Sequence, residues 1–440
     1  MAANFASRPV RPLGSLRWVQ WLVYHLLSFE TFFLLFLYGV RIRQILPPLP
    51  ANETFLFGVI TVAMGGWIIL RKGLYLRGMP IVFAGLAFFG WMLISIGWTP
   101  SKVFVYDNIR FIFIDLWALF AGACIIAGSR ERVVRLLVML AVLAVILAAY
   151  GIYLEFAYGS FRFYRFPGAG DTLADSAYIA WGYTASNGAI IILAIAIYSR
   201  LGDLKQILAL VAFGLCSYFL LIATGRGPLL GLLLAGIIAT IVQAPRIGQR
   251  RVAFSQVQIV ALGIVGMGLA YIGYLYATDQ TVGALHRFLK LFDEADDPLL
   301  RAGANRFDQF AGAYRLWLEA PLFGHGLASY YALYGTSGEH VGNYPHNIFL
   351  HTLAEFGIIG FVLLALFISV GLCHFGLARL RADPLALAVF MLFGAFVLNA
   401  MVAGDIARSY RFFFIIGLLA LRPPTEEIDE DEEDVVPDRS

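Results

Sequence analysis

Charged residues are scarce in this 440-residue chain: they make up 14% of it, against 60% hydrophobic residues. A soluble domain carries about 25% charged residues, so the composition excludes an ordinary water-soluble enzyme. The mean hydropathy is +0.77. The apolar residues form blocks of about 20, the length that crosses a hydrocarbon core. The sequence therefore predicts one integral membrane domain over residues 1–425.

Cysteine is also scarce, with three residues. All three lie in apolar segments without a Cys-x-x-Cys pair, which favours small packed hydrophobic side chains over disulfides or metal ligands. A P-loop, a dinucleotide-binding Gly-x-Gly-x-x-Gly in a strand–helix setting, and an Asp-x-Asp motif in a periplasmic connection are all missing. An enzyme with this sequence would not draw on a cytoplasmic nucleotide sugar and need not use a metal or other cofactor.

Apolar blocks predict an all-α polytopic fold of about 12 transmembrane helices. They lie at residues 18–40, 53–70, 80–98, 108–128, 136–157, 176–199, 207–224, 228–243, 254–277, 346–375, 385–402 and 408–421. Arg and Lys are more than twice as numerous in the connections on the N-terminal side of the membrane as in the short connections opposite, which places both termini in the cytoplasm. Residues 426–440 hold nine acids and one base, which predicts a disordered acidic cytoplasmic tail.

The connection 278–345 is predicted to be a long periplasmic loop, and loops of this length are usually functional or disordered. It is rich in aromatic and aliphatic residues, which argues against disorder. Residues 305–319 have the apolar period of one helical face, with Asn305 as a plausible N-cap and Pro321 after the end. Residues 284–294 form a second amphipathic stretch. Such helices lie at a membrane interface, so we expect a lid on the periplasmic surface.

Three side chains on the predicted periplasmic side could carry chemistry. Arg226 lies between two glycines just before a helix, a setting that suits a diphosphate cradle; the alternative is an Arg that reaches to lipid head groups. Arg306 opens the amphipathic loop helix, where a solvated charge is the alternative. His346 follows Pro345 and is expected in the first helical turn, where the helix dipole keeps imidazole neutral. A neutral imidazole can accept a proton, although a capping role is equally open.

Other polar residues are expected to support this site. His351 and Glu355 are four residues apart, and we interpret them as mutual partners that face the bundle interior. Asn347 adjoins His346. Arg165, with Arg162, could add positive field from a neighbouring connection.

Together these motifs resemble the O-antigen ligase/polymerase family. The family pattern is an Arg, an amphipathic helix, a Pro-Leu-x-Gly-x-Gly turn, and then His-Asn before a helix with Glu-x-Gly. Here Arg306 precedes the helix, Pro321-Leu322-Phe323-Gly324-His325-Gly326 forms the turn, and His346-Asn347 precedes Glu355-Phe356-Gly357. Thr224-Gly225-Arg226-Gly227 is similar to the family's earlier Arg-containing turn, where Ser is usual in place of Gly225. The motif region is Thr224–Gly360; the rest matches only in hydropathy.

The resemblance implies a C-type glycosyltransferase-like fold in the bacterial inner (cytoplasmic) membrane, with the active site on the periplasmic side. It implies a glycan donor on undecaprenyl diphosphate, inversion at the anomeric carbon, and no metal or nucleotide. Arg226 and Arg306 would bind the diphosphate, and His346 would orient or deprotonate the acceptor hydroxyl. The acceptor would be lipid A–core or a second lipid-linked glycan.

The sequence leaves other functions open. A polymerase of O-antigen or exopolysaccharide repeats has the same motifs as a ligase, and a ligase that glycosylates proteins is a third member. A transporter of lipid-linked glycans would also need many helices and buried charges, but we find no internal repeat. A scaffold of a polysaccharide assembly complex has only the acidic tail in its support.

Overall fold

The computed structural model describes residues 24–42, 52–158, 171–198, 204–223, 226–243, 298–334 and 344–424. In these stretches the regular secondary structure is helical and no strand occurs, which confirms the predicted all-α fold class. The helices are α1 (Phe29–Ile42), α2 (Glu53–Lys72), α3 (Met79–Ile94), α4 (Phe104–Phe120), α5 (Arg130–Tyr158), α6 (Asp171–Tyr198), α7 (Leu204–Ile222), α8 (Arg226–Val242), α9 (Pro298–Glu319), α10 (Ser329–Leu333), α11 (Ile348–Phe375), α12 (Pro384–Ala403) and α13 (Tyr410–Leu418).

Seven of the described helical stretches are long and apolar enough to cross a membrane, so the chain is a multi-pass membrane protein. They are Glu53–Lys72, Leu76–Trp98, Phe104–Ile126, Arg130–Tyr158, Ile179–Tyr198, Ile348–Phe375 and Pro384–Ala403. Shorter apolar helices occupy three further predicted positions, at Phe29–Gly39, Gln206–Ile222 and Gly227–Val242. The total of about twelve spans stays a prediction, because the segment 254–277 lies outside the described residues.

An aromatic cluster holds the centre of the bundle, where α3, α11 and α13 meet. Phe413 of α13 makes an edge contact with Phe89, with ring centroids 4.8 Å apart, and stacks on Phe367 at 6.3 Å. Phe88 meets Phe356 edge-on at 6.5 Å. All five side chains are buried. Because lipid gives helices little hydrophobic reason to associate, such close packing is what holds them together.

Side-chain caps fix several helix ends. The Asp383 carboxylate accepts backbone N–H bonds from Leu385 and Ala386 at the start of α12, where Pro384 occupies the first turn. The same carboxylate accepts two bonds from Arg130, at 2.7 and 2.8 Å. Burial alone would raise the pKa of Asp383, but the bonds from Arg130 bring this pKa below its usual value. The connection before α12 is thereby tied to the start of α5.

The structure differs from the sequence prediction at one helix start and at one cysteine. Helix α9 begins at Pro298, so Asn305 lies inside the helix and is not its N-cap. A helix can start with proline, because the first turn tolerates the missing N–H group. Cys124 and Cys216 are buried as expected, but Cys373 is exposed. The predicted stretch 284–294 and the tail 426–440 lie outside the described residues.

Candidate functional site

The Pro321–Leu327 turn docks into a break in helix α11. At Gly357 the backbone leaves the helical region, with φ 64° and ψ −165°. Two α11 amides at this break donate to the turn, one from Ile358 to the Pro321 carbonyl at 2.9 Å and one from Ile359 to the Leu322 carbonyl at 3.4 Å. Two amides of the turn donate back to carbonyls of residues 354 and 355, at 3.1 and 2.7 Å. The backbone groups freed by the break are thereby satisfied, as membrane-embedded backbone requires.

Three glycines make this docking possible. A Cβ on Gly357 would lie 2.3 Å from the Leu322 carbonyl oxygen, and one on Gly324 would lie 2.4 Å from the Glu355 carbonyl. Gly324, Gly326 and Gly357 also have positive φ angles, which side chains disfavour. The Gly-x-Gly and Glu-x-Gly motifs are therefore the two halves of one backbone contact.

Two tryptophan side chains of the α3 region close the docked turn from the other side. Trp91 donates its indole N–H to the Phe356 carbonyl at 3.0 Å, and Trp98 donates to the Gly324 carbonyl at 3.1 Å. These bonds use carbonyls that the break in α11 and the turn would otherwise leave unpaired.

Glu355 connects this contact to the short helix α10. Its carboxylate accepts backbone N–H bonds from Ala328 at 3.0 Å and Tyr330 at 3.1 Å, which caps the start of α10. His351 lies one turn earlier on α11, with its Nε2 atom 3.2 Å from Glu355 Oε1, and both side chains are buried. The four-residue spacing of His351 and Glu355 predicts their pairing. Nothing in the sequence indicated the bonds from α10 to the Glu355 carboxylate. Glu355 thus holds the segment that follows the turn.

His346 lies just outside α11 and not in its first turn, which corrects the expectation. Asn347 is the N-cap residue, and its side-chain oxygen accepts N–H bonds from Phe349 and Leu350, both at 3.0 Å. His346 precedes this cap with φ 54°, a left-handed conformation that histidine adopts more readily than most residues. The helix dipole is therefore not the main influence on this imidazole.

Burial is the main reason why the pKa of His346 falls to about 4, and the nearby guanidinium of Arg306 lowers this pKa further. Asp405 acts in the opposite direction. The imidazole is therefore neutral near pH 7. Its Nδ1 atom is buried and has no hydrogen-bond partner within the described part of the chain. A neutral ring with an unused nitrogen can accept a proton from a bound hydroxyl.

Tyr344 marks the centre of the site, with its ring centroid 4.1 Å from that of His346. Burial raises the pKa of the Tyr344 hydroxyl to about 12, and neighbouring Tyr183 adds to this rise. Tyr183 also touches the start of α8, because a Cβ on Gly227 would lie 2.5 Å from its hydroxyl. Arg226, the first residue of α8, is therefore in the helix terminus that borders the same region.

Two charged residues of the site were missed by the sequence analysis. Asp405 and Arg408 lie in the connection between α12 and α13, and Asp405 accepts a 2.8 Å bond from the Tyr331 hydroxyl. Both residues are close enough to Tyr344 to influence its pKa. The available signal was their position: they are charges in a short connection between two apolar helices. Arg165, which was predicted to support the site, lies outside the described residues.

These features define an all-helical, multi-pass membrane protein with a cationic site beside a neutral histidine. Comparison with protein families finds that residues 211–365 match the family described as O-antigen ligase. The matched region, about a third of the chain, contains Arg226, Arg306, His346 and Glu355. By this region the chain is similar to the O-antigen ligase family, in agreement with the resemblance found in the sequence motifs. The search of curated proteins found no match.

Proposed function

We propose that this chain is a metal-independent, inverting glycosyltransferase of the C-type fold that works on the periplasmic side of the bacterial inner membrane. Its donor is a glycan on undecaprenyl diphosphate, and its acceptor is lipid A–core, which makes it an O-antigen ligase. The observation that supports this best is the partly buried, neutral His346, which has a buried and unused Nδ1 atom and whose pKa the Arg306 guanidinium lowers.

The reaction needs two actions from the protein. When the bond between the anomeric carbon and the diphosphate oxygen breaks, its electron pair stays on the diphosphate, which gains negative charge. Arg226 and Arg306 stabilise that charge as preorganised cations and take the part that a metal plays elsewhere. His346 accepts the proton of the acceptor hydroxyl as its oxygen attacks the anomeric carbon from the opposite face.

Arg306 is available for such a role. Its side chain is exposed, and within the described stretches its guanidinium has no hydrogen-bonded or ion-paired partner. It also lies near enough to His346 to lower the pKa of that imidazole. A cation without a partner next to a neutral base supports binding of an anionic leaving group at this point.

The remaining predicted residues hold the reactive ones in place. Asn347 caps α11 immediately after His346, and Glu355 fixes the segment that joins α9 to α10. Arg165 would add positive field. Helix α9 carries exposed apolar side chains at Phe307, Tyr314 and Leu318. This surface suits the membrane interface, from where α9 would exclude water from the site.

The test is a transfer assay with the purified chain in detergent. The donor is a polyprenyl-diphosphate glycan, the acceptors are lipid A–core and a second lipid-linked glycan, and the products are analysed by mass. Glycan on lipid A–core supports ligation, whereas a longer glycan still on diphosphate identifies the alternative, a repeat-unit polymerase. Absence of any product while glycan lipid moves across proteoliposome membranes would replace both with a transporter.

Variants connect that assay to the site. Arg226→Ala, Arg306→Ala and His346→Ala are each expected to abolish transfer while the protein still inserts and folds. Arg315→Ala is the matched control, since Arg315 is an exposed arginine on the same helix as Arg306. Full activity of His346→Ala would remove the proposed base from the mechanism.

A further inference from the structure

Arg408 is an arginine near the site, and the sequence motifs give it no role. The family match ends at residue 365 and does not include it. It is the last residue of the short 3₁₀ turn Ile406–Arg408 between α12 and α13. Its side chain is 37% exposed, so it is partly withdrawn from solvent but open to a ligand.

Hydrogen bonds within the turn fix the backbone position from which the Arg408 side chain extends. The Asp405 carboxylate caps the turn through the Ala407 amide at 3.1 Å, and the Arg408 amide donates to the Asp405 carbonyl at 3.2 Å. The guanidinium lies over the Phe111 ring, with its carbon 4.9 Å from the ring centroid. Stacking on an aromatic face orients an arginine without using its N–H donors.

Those donors are unused in the described residues. Asp405 Oδ2 is the nearest carboxylate oxygen, 3.8 Å from Arg408 Nε, which is too long for a hydrogen bond. Oδ2 already accepts from Tyr331, and Oδ1 accepts from the Ala407 amide. The Nε atom is buried without a partner. Arg130 differs, since both of its terminal nitrogens bond to a carboxylate at 2.7–2.8 Å.

Contacts of the turn with helix α11 place Arg408 near the proposed reaction: the Ile406 amide donates to His351 Nδ1 at 3.4 Å, and Asp405 Oδ1 lies 3.9 Å from the same nitrogen. Arg306 and Arg408 both act on Tyr344 and oppose the rise in its pKa, and its ring packs against His346. Both guanidiniums thus act on one residue next to the proposed base, and neither has a hydrogen-bond acceptor in the part of the chain that the structure describes.

We propose that Arg408 is a third diphosphate-binding arginine, whose unused N–H groups bond to the phosphate oxygens of the lipid-linked donor. This rests on the proposed function and extends it. A diphosphate that leaves a glycosyl bond gains a negative charge, and an arginine held beforehand stabilises it without rearrangement. Asp405 keeps the turn in place and leaves the donors of Arg408 free, because its own oxygens are already bonded.

A different role for Arg408 would be to neutralise Asp405. The two roles separate in a double-variant cycle. If Arg408 only neutralises Asp405, then Asp405→Asn removes the need for the cation, and Asp405→Asn/Arg408→Gln regains wild-type behaviour. If Arg408 binds diphosphate, the double variant stays as weak as Arg408→Gln. Asparagine retains one side-chain oxygen for the Ala407 amide, and its NH2 group can donate to the Tyr331 hydroxyl oxygen, so the turn keeps its cap.

The experiment measures binding of undecaprenyl diphosphate to the purified full chain in neutral detergent. Arg408→Gln is expected to bind about 10- to 100-fold more weakly, the effect of losing hydrogen bonds to a charged group. Arg110→Gln is the matched control and should bind as the wild type does, because Arg110 lies at the same 4.9 Å distance from the Phe111 ring but its side chain is 68% exposed to solvent, against 37% for Arg408.

Each outcome decides the proposal. Weak binding by Arg408→Gln and by the double variant, with normal binding by Arg110→Gln, supports it. Wild-type affinity in Arg408→Gln or in the double variant overturns it. If the Gln variant does not fold, Arg408→Lys decides, because lysine keeps the positive charge but lacks the forked N–H donors of a guanidinium. Arg408→Lys should lose at least about threefold in affinity for undecaprenyl diphosphate. An unchanged affinity overturns the proposal. A wild-type chain that does not bind undecaprenyl diphosphate refutes the proposed function itself.

Discussion

Gly357→Ala should separate the Pro321–Leu327 turn from helix α11. The new Cβ would lie 2.3 Å from the Leu322 carbonyl oxygen and 2.7 Å from the Gly324 nitrogen, so the backbones must move apart. Glycine adopts the φ and ψ of this position without strain, whereas alanine in the same conformation loses about 2 kcal/mol of stability. The two bonds from α11 to the turn, at 2.9 and 3.4 Å, add about 1 kcal/mol each when lost. The expected destabilisation is about 4 kcal/mol.

The matched control is Gly376→Ala at the end of the same helix. Gly376 also has a positive φ, 72°, but a Cβ added there would meet no neighbouring atom within 4 Å. Only the cost of placing alanine in a left-handed conformation remains, about 1–2 kcal/mol. The free energy of unfolding is measured by denaturant titration in detergent, with tryptophan fluorescence as the signal because Trp91 and Trp98 bond to the docked backbone. Equal destabilisation by the two variants would refute the docking account.

Three further predictions concern single side chains. Glu355→Gln should lose about 2 kcal/mol of stability, because the amide group turns a donor toward one of the two N–H groups that the carboxylate accepts; the exposed Glu319→Gln should lose nothing measurable in the same denaturant titration. Arg306→Gln should raise the pKa of His346 above about 4, so the imidazole becomes protonated at a higher pH; NMR titration of labelled histidine measures this, and an unchanged pKa would show that Arg306 does not act on the ring. Arg130→Ala should cost about 3–5 kcal/mol, because it leaves the buried Asp383 carboxylate unpaired; a loss as small as that of exposed Arg110→Ala would contradict the structure of that pair.

Hydropathy and periodicity predicted the described helices well because lipid imposes a strong composition on any helix inside it. Helix ends were less predictable. Pro345 suggested a helix start that included His346, but the Asn347 side chain supplies the cap and the helix begins at Ile348. Asn305 had the composition of a cap, yet the helix continues through it. Local sequence allows several start points, and tertiary context selects among them.

The candidate site was predictable where a motif carried it. The sequence motifs indicated Arg226, Arg306 and His346, whereas the contribution of Asp405 and Arg408 depends on how α12 and α13 return the chain to the site. The reason for the glycines was equally hidden. Gly357 and Gly324 face each other across a backbone contact between distant segments, and spacing along the chain does not encode such a contact.

A structure of the chain with bound undecaprenyl diphosphate tests the central claim most directly. We predict that the guanidiniums of Arg226 and Arg306 lie within hydrogen-bond distance, about 3 Å, of the phosphate oxygens, with His346 Nδ1 facing the position that the acceptor hydroxyl takes beside the anomeric carbon. A diphosphate bound elsewhere, or one that leaves either arginine outside contact, would contradict the account.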